Sequence, residues 1–264
     1  MTMGHGISYT GDRYREQQAA LPCLACFIFG RKGTTMVSLR IFGTPVKVNA
    51  TFLIPIVVVW GGITWLESSW HPERAFWQAV LMGSATMLLL LVVEIGHALA
   101  HIFSARAAGA PMDELLLSLS AGMPRTLYWN NEVSPDVHRI RALGGPIFNA
   151  VGLLLSAGIY AATSGNAIAR ELAAWSAGGH GLLLTLSLLP VPMVDGGTLL
   201  KWTLVARGGT ATEADEMIRL LDWVMGIAGG LIGVGFIVMQ MWGAGAILVG
   251  SGAVVIAIAE GKIR

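Results

Sequence analysis

Hydrophobic and polar positions fall in long blocks, not at the two-residue period of a half-buried strand. An uncharged run over residues 75–93 is followed at once by a glutamate and two histidines, in LLLLVVEIGHALAH (88–101). At about 1.5 Å rise per residue this run approaches the ~30 Å hydrocarbon thickness of a bilayer, so it predicts a spanning helix with polar groups at one end. Glu94, His97 and His101 stand at i, i+3 and i+7 and share one helical face. Comparable runs predict spans near 50–66, 143–162, 172–189, 223–239 and 244–259. The fourth of these six spans is interrupted by His180 and then broken by PVPMVDGG (190–197), after which a helix is expected to resume over 198–205.

The connection 102–139 is the longest polar-mixed stretch. Within it, ELLLSLS (114–120) is too short to cross a bilayer and predicts either a strand or an interfacial segment shielded by the helices. Residues 237–244 must turn tightly. The glycines of GIAGGLIGVG (226–235) and GAGAILVGSGAVV (243–255) fit close helix packing and permissive lipid-facing sequence equally well. The fold class expected is all-α: a polytopic membrane protein of about six transmembrane helices with a short non-helical membrane-associated segment.

Composition agrees, with 54% hydrophobic and only 12% charged residues, about half the charge of an ordinary soluble domain. A net charge of +1 without a basic cluster argues against a nucleic-acid partner. With the N-terminus inside, only Arg74 and Arg170 of the 17 lysines and arginines fall on the outer side. This asymmetry predicts an integral protein of the cell membrane with both termini cytoplasmic, and it brings Glu94, His97 and Asp195 to the cytoplasmic ends of their spans. Residues 1–35 read as an uncertain N-terminal extension, whose apolar patch over 19–29 is too short to span; translation is expected to begin near Met36. Cys23 and Cys26 form a single C-x-x-C there, a weak redox or zinc signal. Residues 36–205 form the expected membrane core, and 206–264 a polar loop with two C-terminal spans.

Asp195 lies between helix-interrupting prolines and two glycines. It either caps the following helix or ligates a metal. Imidazole and carboxylate together suit zinc, which at catalytic sites takes three protein ligands and a water, and Glu94 is then the candidate base. The plainer alternative for residues 94–101 is a helix end where polar groups meet the headgroups.

Three motifs, EIGHALAH (94–101), LGGPIFN (143–149) and LLPVPMVDGG (188–197), resemble those of the site-2 protease family of M50 intramembrane metallopeptidases, and SLRIFGTPVKVNATF is similar to the family's approach to its first helix. The likeness covers roughly residues 37–205. It implies a zinc endopeptidase that cuts transmembrane or membrane-adjacent segments of other proteins, with membrane lipid and those segments as partners. Carried over residue by residue, Glu94 matches the general base, His97 the second histidine ligand and Asp195 the third ligand. Asn149 matches a supporting polar residue near the site, and Gly196 and Gly197 follow the aspartate as in the family. Val93 stands where the family has its first histidine, so the inherited set has two protein ligands. His101, at i+4 from His97, is the candidate replacement, at the cost of moving the metal up to ~5 Å along the helix; His138 and His180 are further candidates to complete the set. Two functions stay open: retained metal-dependent proteolysis, and a catalytically inactive relative that binds membrane partners through the same cavity. A small transporter is the weaker third, since no inverted repeat is visible.

Overall fold

The computed structural model describes residues 36–118, 124–129, 131–192 and 194–262. The N-terminal extension, with Cys23 and Cys26, lies outside the described residues.

The chain enters through a β-hairpin, β1 (Met36–Ile41) and β2 (Thr44–Asn49), paired antiparallel with Val37 opposite Val48. Its two-residue turn has Phe42 at φ 49° and Gly43 at φ 80°, the left-handed pair that matches strand twist. Phe42 is held there by its ring, 4.6 Å from that of Phe103, and by Arg106, which donates to its carbonyl. A short 3-10 turn (Ala50–Phe52), capped by the Asn49 side chain accepting from the Thr51 amide at 2.9 Å, leads into α1 (Leu53–Trp70).

Helix α2 (Phe76–Ala107) is 32 residues long, about 48 Å at helical rise. It does not stop at the polar cluster, because HALAHIFSARA continues an apolar stripe through Ala98, Ile102 and Ala105, all buried. That stripe lies under the sheet. ELLLSLS supplies β3 (Glu114–Leu117), whose Leu115 and Leu117 point inward and join Val46 and Met112 against the α2 stripe. β3 pairs parallel with β2 (Val46 opposite Leu115) and antiparallel with β4 (Arg125–Leu127), giving sheet order β1-β2-β3-β4. The 2.6 Å Lys47–Glu114 ion pair closes the β2/β3 junction.

Helix α3 (Pro135–Ala162) starts well before the apolar run, with Pro135 at its first position, where a missing N–H costs nothing. Its polar first turns are anchored: His138 stacks on Trp202 at 3.7 Å, and Arg141 donates to the Ala110 carbonyl at 2.9 Å. Helices α4 (Ala167–Ser187) and α5 (Asp195–Ala206) flank the proline break; α6 (Ala211–Val238) and α7 (Trp242–Ala259) form a C-terminal hairpin. Thr210 and Glu213 cap α6 reciprocally, side chain to backbone in both directions.

Five helical stretches among the described residues are long and apolar enough to cross a membrane: Ala50–Trp70, Phe76–Ala107, Pro135–Ala162, Ala211–Val238 and Trp242–Ala259. The fourth expected span, α4, has the length at 21 residues but carries Arg170, Glu171 and His180; it packs against α2 and α3. The architecture is a polytopic helical membrane fold with a small sheet at one end. Outward faces bear Val58, Leu88, Leu154 and Leu231, as a lipid-facing surface requires.

Only some of the C-terminal glycines pack closely. A Cβ on Gly226, Gly233, Gly245 or Gly252 would press into the opposite helix of the α6/α7 hairpin, whereas Gly230, Gly235, Gly243 and Gly250 face open space. Close packing therefore accounts for one set and permissive sequence for the other. At the end of the bundle away from the sheet, Arg74 binds Glu67 at 3.0 Å and Glu171 at 2.6 Å, and the Trp175 indole donates to Glu67 at 3.0 Å. This network ties α1 to α4 and satisfies Glu67, which is fully buried.

Candidate metal centre

The polar ends of α2, α3 and α5 converge beneath the sheet. Two glycines on α3 allow it: a Cβ on Gly144 would strike the Ala100 carbonyl of α2, and one on Gly145 would strike the rings of both His97 and His101. Two more allow α5 to fold back on the proline break, since Cβ atoms on Gly196 and Gly197 would collide with the Leu188, Leu189 and Val191 carbonyls. Thus LGGP and DGG are close-approach devices, and Asp195 at the start of α5 is delivered to the histidine face of α2.

The resulting distances are nearly equal. His97 Nε2 lies 3.2 Å from Asp195 Oδ2, His101 Nε2 lies 3.3 Å from Asp195 Oδ1, and the two Nε2 atoms are 3.2 Å apart. Ligands about 2.0–2.1 Å from a tetrahedral zinc are separated by about 3.3–3.4 Å. The two imidazole nitrogens stand at about that spacing, each facing a different oxygen of the Asp195 carboxylate, and one ligand atom from each of the three residues lies within 4.8 Å of the others, a donor set that suits zinc; side-chain exposures of 15% for His97 and 17% for Asp195 leave one side of the trio reachable. The backbone carbonyl of Arg141 accepts from His101 Nδ1 at 2.8 Å, an arrangement that leaves the Nε2 lone pair facing Asp195. Ser104 Oγ donates to the same carbonyl at 3.1 Å. Asn149, wholly buried, places its amide 2.8 Å from His97 Nδ1 and, with its other end, 3.1 Å from His180 Nδ1. Beside the centre and outside the membrane spans, burial pushes the Tyr128 phenol well above its ordinary value, so it stays neutral; its ring lies 4.4 Å beneath the Arg141 guanidinium.

Val93 and Glu94 sit one turn earlier on α2. Val93 is buried, and both residues line an apolar cavity of about 320 Å³ between α1, α2 and α4, together with Val59, Leu90, Leu183 and others. Among the described residues, Glu94 is the one ionisable residue in a wall that is otherwise apolar but for Ser118. The trio is therefore displaced one helical turn from the register in which position 93 would be a ligand, and Asp195 lies against the displaced pair. His138 lies apart, stacked on Trp202, and His180 reaches the trio only through Asn149. A second group, Glu67, His71 and Glu171, also has ligand atoms within 4.8 Å of one another. Arg74 already binds both of its carboxylates, which makes it an ion-pair lock.

Sequence reasoning missed the Arg141 carbonyl, and it offered His180 as a ligand where the structure places it behind Asn149. The carbonyl carries no side-chain signal, whereas His180 stood out as an ionisable residue inside an apolar run, which usually faces a functional interior.

No family model matches the chain. Among curated proteins, it is 30% identical over 214 residues to "Putative zinc metalloprotease Rip3" of Mycobacterium tuberculosis, in both the Erdman and H37Rv strains. The match takes in 74% of this chain and 52% of each relative, so the chain spans about half the length of the curated relatives it matches. Among solved structures, it superposes on the site-2 protease from Methanocaldococcus jannaschii with a TM-score of 0.54, covering 87% of this chain and 96% of that one at 17% identity, which speaks for the fold. The homology to a protein described as a zinc metalloprotease, with a helical architecture shared with a site-2 protease, supports assigning this chain to the site-2 protease (M50) family.

Proposed function

We propose that this protein is a zinc-dependent endopeptidase that hydrolyses peptide bonds in or beside transmembrane segments, with His97, His101 and Asp195 as the metal ligands and Glu94 as the general base. The observation that carries the proposal is the convergence of His97, His101 and Asp195, each imidazole Nε2 lying 3.2–3.3 Å from one oxygen of the Asp195 carboxylate and 3.2 Å from the other imidazole, on two elements nearly a hundred residues apart in sequence. Bound zinc supplies Lewis acidity toward the scissile carbonyl and acidifies the attacking water. The chain's own groups do the rest. Asp195 and the Arg141 carbonyl hold His101 between them, and Asn149 orients His97. Glu94 takes a proton from the attacking water and returns it to the leaving amine. The apolar cavity keeps bulk water from Glu94 and offers a lipid-compatible approach for an unwound substrate segment. Asn149 and Gly196 are supporting residues, one by hydrogen bonding and one by permitting the backbone approach.

Membrane lipid and transmembrane segments of other proteins are the partners in this reading, with no nucleic acid. The protein is placed in the cell membrane with cytoplasmic termini, on the strength of the lysine and arginine asymmetry. The core is assigned to residues 36–205, with 206–264 as an accessory loop and helical hairpin. A second reading has a specific observation in its favour: with Val93 in the cavity wall, Glu94 precedes both histidines, where the family's base lies between them. In that reading the protein binds membrane segments without cutting them.

Metal analysis of purified protein, joined to cleavage of a model transmembrane substrate, separates the two. The proteolytic reading expects about one zinc per chain, lost in Asp195→Ala, and a Glu94→Gln variant that keeps zinc but does not cleave. Zinc binding with a parent that leaves every transmembrane substrate intact would establish the non-cleaving reading.

A further inference from the structure

We infer that His180 is a positioning residue for the metal centre, acting through Asn149 to set the orientation and tautomer of His97. The inference rests on the assignment of His97 as a ligand. His180 projects from the middle of α4 into the bundle and is 6% exposed. A buried imidazole is costly unless a partner satisfies it, and its Nδ1 lies 3.1 Å from Asn149 Oδ1. Its slot is built for the ring: a Cβ on Gly152 of α3 would collide with three atoms of the imidazole, and the Phe148 ring lies 5.5 Å from it. Asn149 is itself wholly buried, and both ends of its amide are engaged, one by His180 and the other by His97 Nδ1 at 2.8 Å.

Proton accounting along this chain fixes its role. As placed, the Asn149 amide nitrogen faces His97 Nδ1 and its oxygen faces His180 Nδ1. Asn149 then donates to His97, whose proton sits on Nε2 and is directed at Asp195, while His180 Nδ1–H donates to the amide oxygen. In that setting His97 Nε2 has no lone pair to offer a metal. A His97 that offers its Nε2 lone pair to a metal must carry its proton on Nδ1 and needs an acceptor there, which is the amide oxygen. The amide is then reversed, its nitrogen faces His180, and His180 Nδ1 accepts. The two ends of an amide have nearly the same shape, so the pocket holds either setting. Each histidine stays neutral and moves one proton between its own nitrogens, so no proton is gained or lost. His180 is the group that can close the chain at its far end in both settings; without it either setting leaves one buried end of the Asn149 amide unsatisfied, and the orientation of Asn149, and so of His97, is no longer fixed.

The test is zinc affinity of the purified full chain by chelator competition, with the visible spectrum of the cobalt-substituted protein as a second readout. Outer partners of metal-bound histidines typically contribute about 10–100-fold in affinity. His180→Ala is expected to weaken zinc by that factor and to alter the cobalt spectrum. His180→Gln, whose amide can donate or accept, restores binding to within about threefold. Asn149→Ala weakens binding to the same extent, and the double variant no further. Gly152→Ala, which keeps His180 but pushes its ring from the slot, also weakens binding and serves if His180→Ala does not fold. Zinc affinity and cobalt spectrum unchanged in His180→Ala, equal losses in the alanine and glutamine variants, or additive losses in the double variant would overturn the inference while leaving the ligand assignment standing. A parent that binds no zinc overturns both.

Discussion

His101 separates the two registers the metal centre could adopt. In the inherited register the ligands would be position 93, His97 and Asp195, and His101 would be a bystander. In the observed geometry His101 Nε2 is 3.3 Å from Asp195 and 3.2 Å from His97 Nε2, inside the ligand set. Removal of a direct ligand must cost more than loss of an outer hydrogen-bonding partner, so His101→Ala is expected to weaken zinc by more than ~100-fold, about 2.8 kcal/mol or greater at 1.4 kcal/mol per decade. The fold should survive. The Arg141 carbonyl that loses His101 still accepts from Ser104 Oγ, so the folding cost is that of one net hydrogen bond, about 0.5–1.5 kcal/mol, plus some lost packing. The measurement is zinc affinity by chelator competition in detergent, alongside helix content by circular dichroism. A His101→Ala protein that stays helical and binds zinc within about threefold of the parent would refute the displaced register.

Four further outcomes follow from the same coordinates. Val93→His puts an imidazole into an apolar wall beside Leu90 and Gly179; it should leave zinc stoichiometry unchanged and lower stability by about 1–3 kcal/mol, and a gain of proteolysis over the parent would count against this geometry. Gly145→Ala should displace both imidazoles and lower zinc affinity at least ~10-fold while helix content holds. Arg74→Ala strips the cation from Glu67, whose side chain is 1% exposed, and should destabilise the protein by roughly 3–5 kcal/mol, read as a lower melting temperature with zinc binding intact in the cold. Gly233→Leu should cost about 1–3 kcal/mol by separating α6 from α7, whereas Gly230→Leu, with open space at its Cβ position, should be nearly neutral in the same melt.

Much of this was legible in the residues. The uncharged run ending in Glu94, the i/i+4 spacing of His97 and His101, and Asp195 between prolines and glycines each carry a local physical signature: bilayer-length hydrophobicity, helical periodicity, and a forced break in a helix. ELLLSLS could be narrowed to a strand or an interfacial segment because it is too short to span. What separates a strand from the alternative is a partner, and β3 finds one in β2, with Leu115 opposite Val46 although α1 and α2 lie between them in sequence. The end of α2 was misjudged for a related reason: the apolar stripe of Ala98, Ile102 and Ala105 has meaning only once a sheet lies over it.

The sequence by itself determined that this chain lives in a membrane, that Glu94, the histidines and Asp195 stand at the ends of apolar runs, and which side chains have the chemistry for a metal. Those properties belong to single segments and to the solvent around them. The tertiary structure alone decided which turn of α2 meets Asp195. That depends on how closely α3 and α5 approach, and the approach is set by what glycines at positions 144, 145, 196 and 197 leave out. It also decided that the Arg141 carbonyl and His180 stand behind the two histidines. A buried donor or acceptor must be matched by whatever group the packing brings to it, and no pattern along one segment specifies a partner on another.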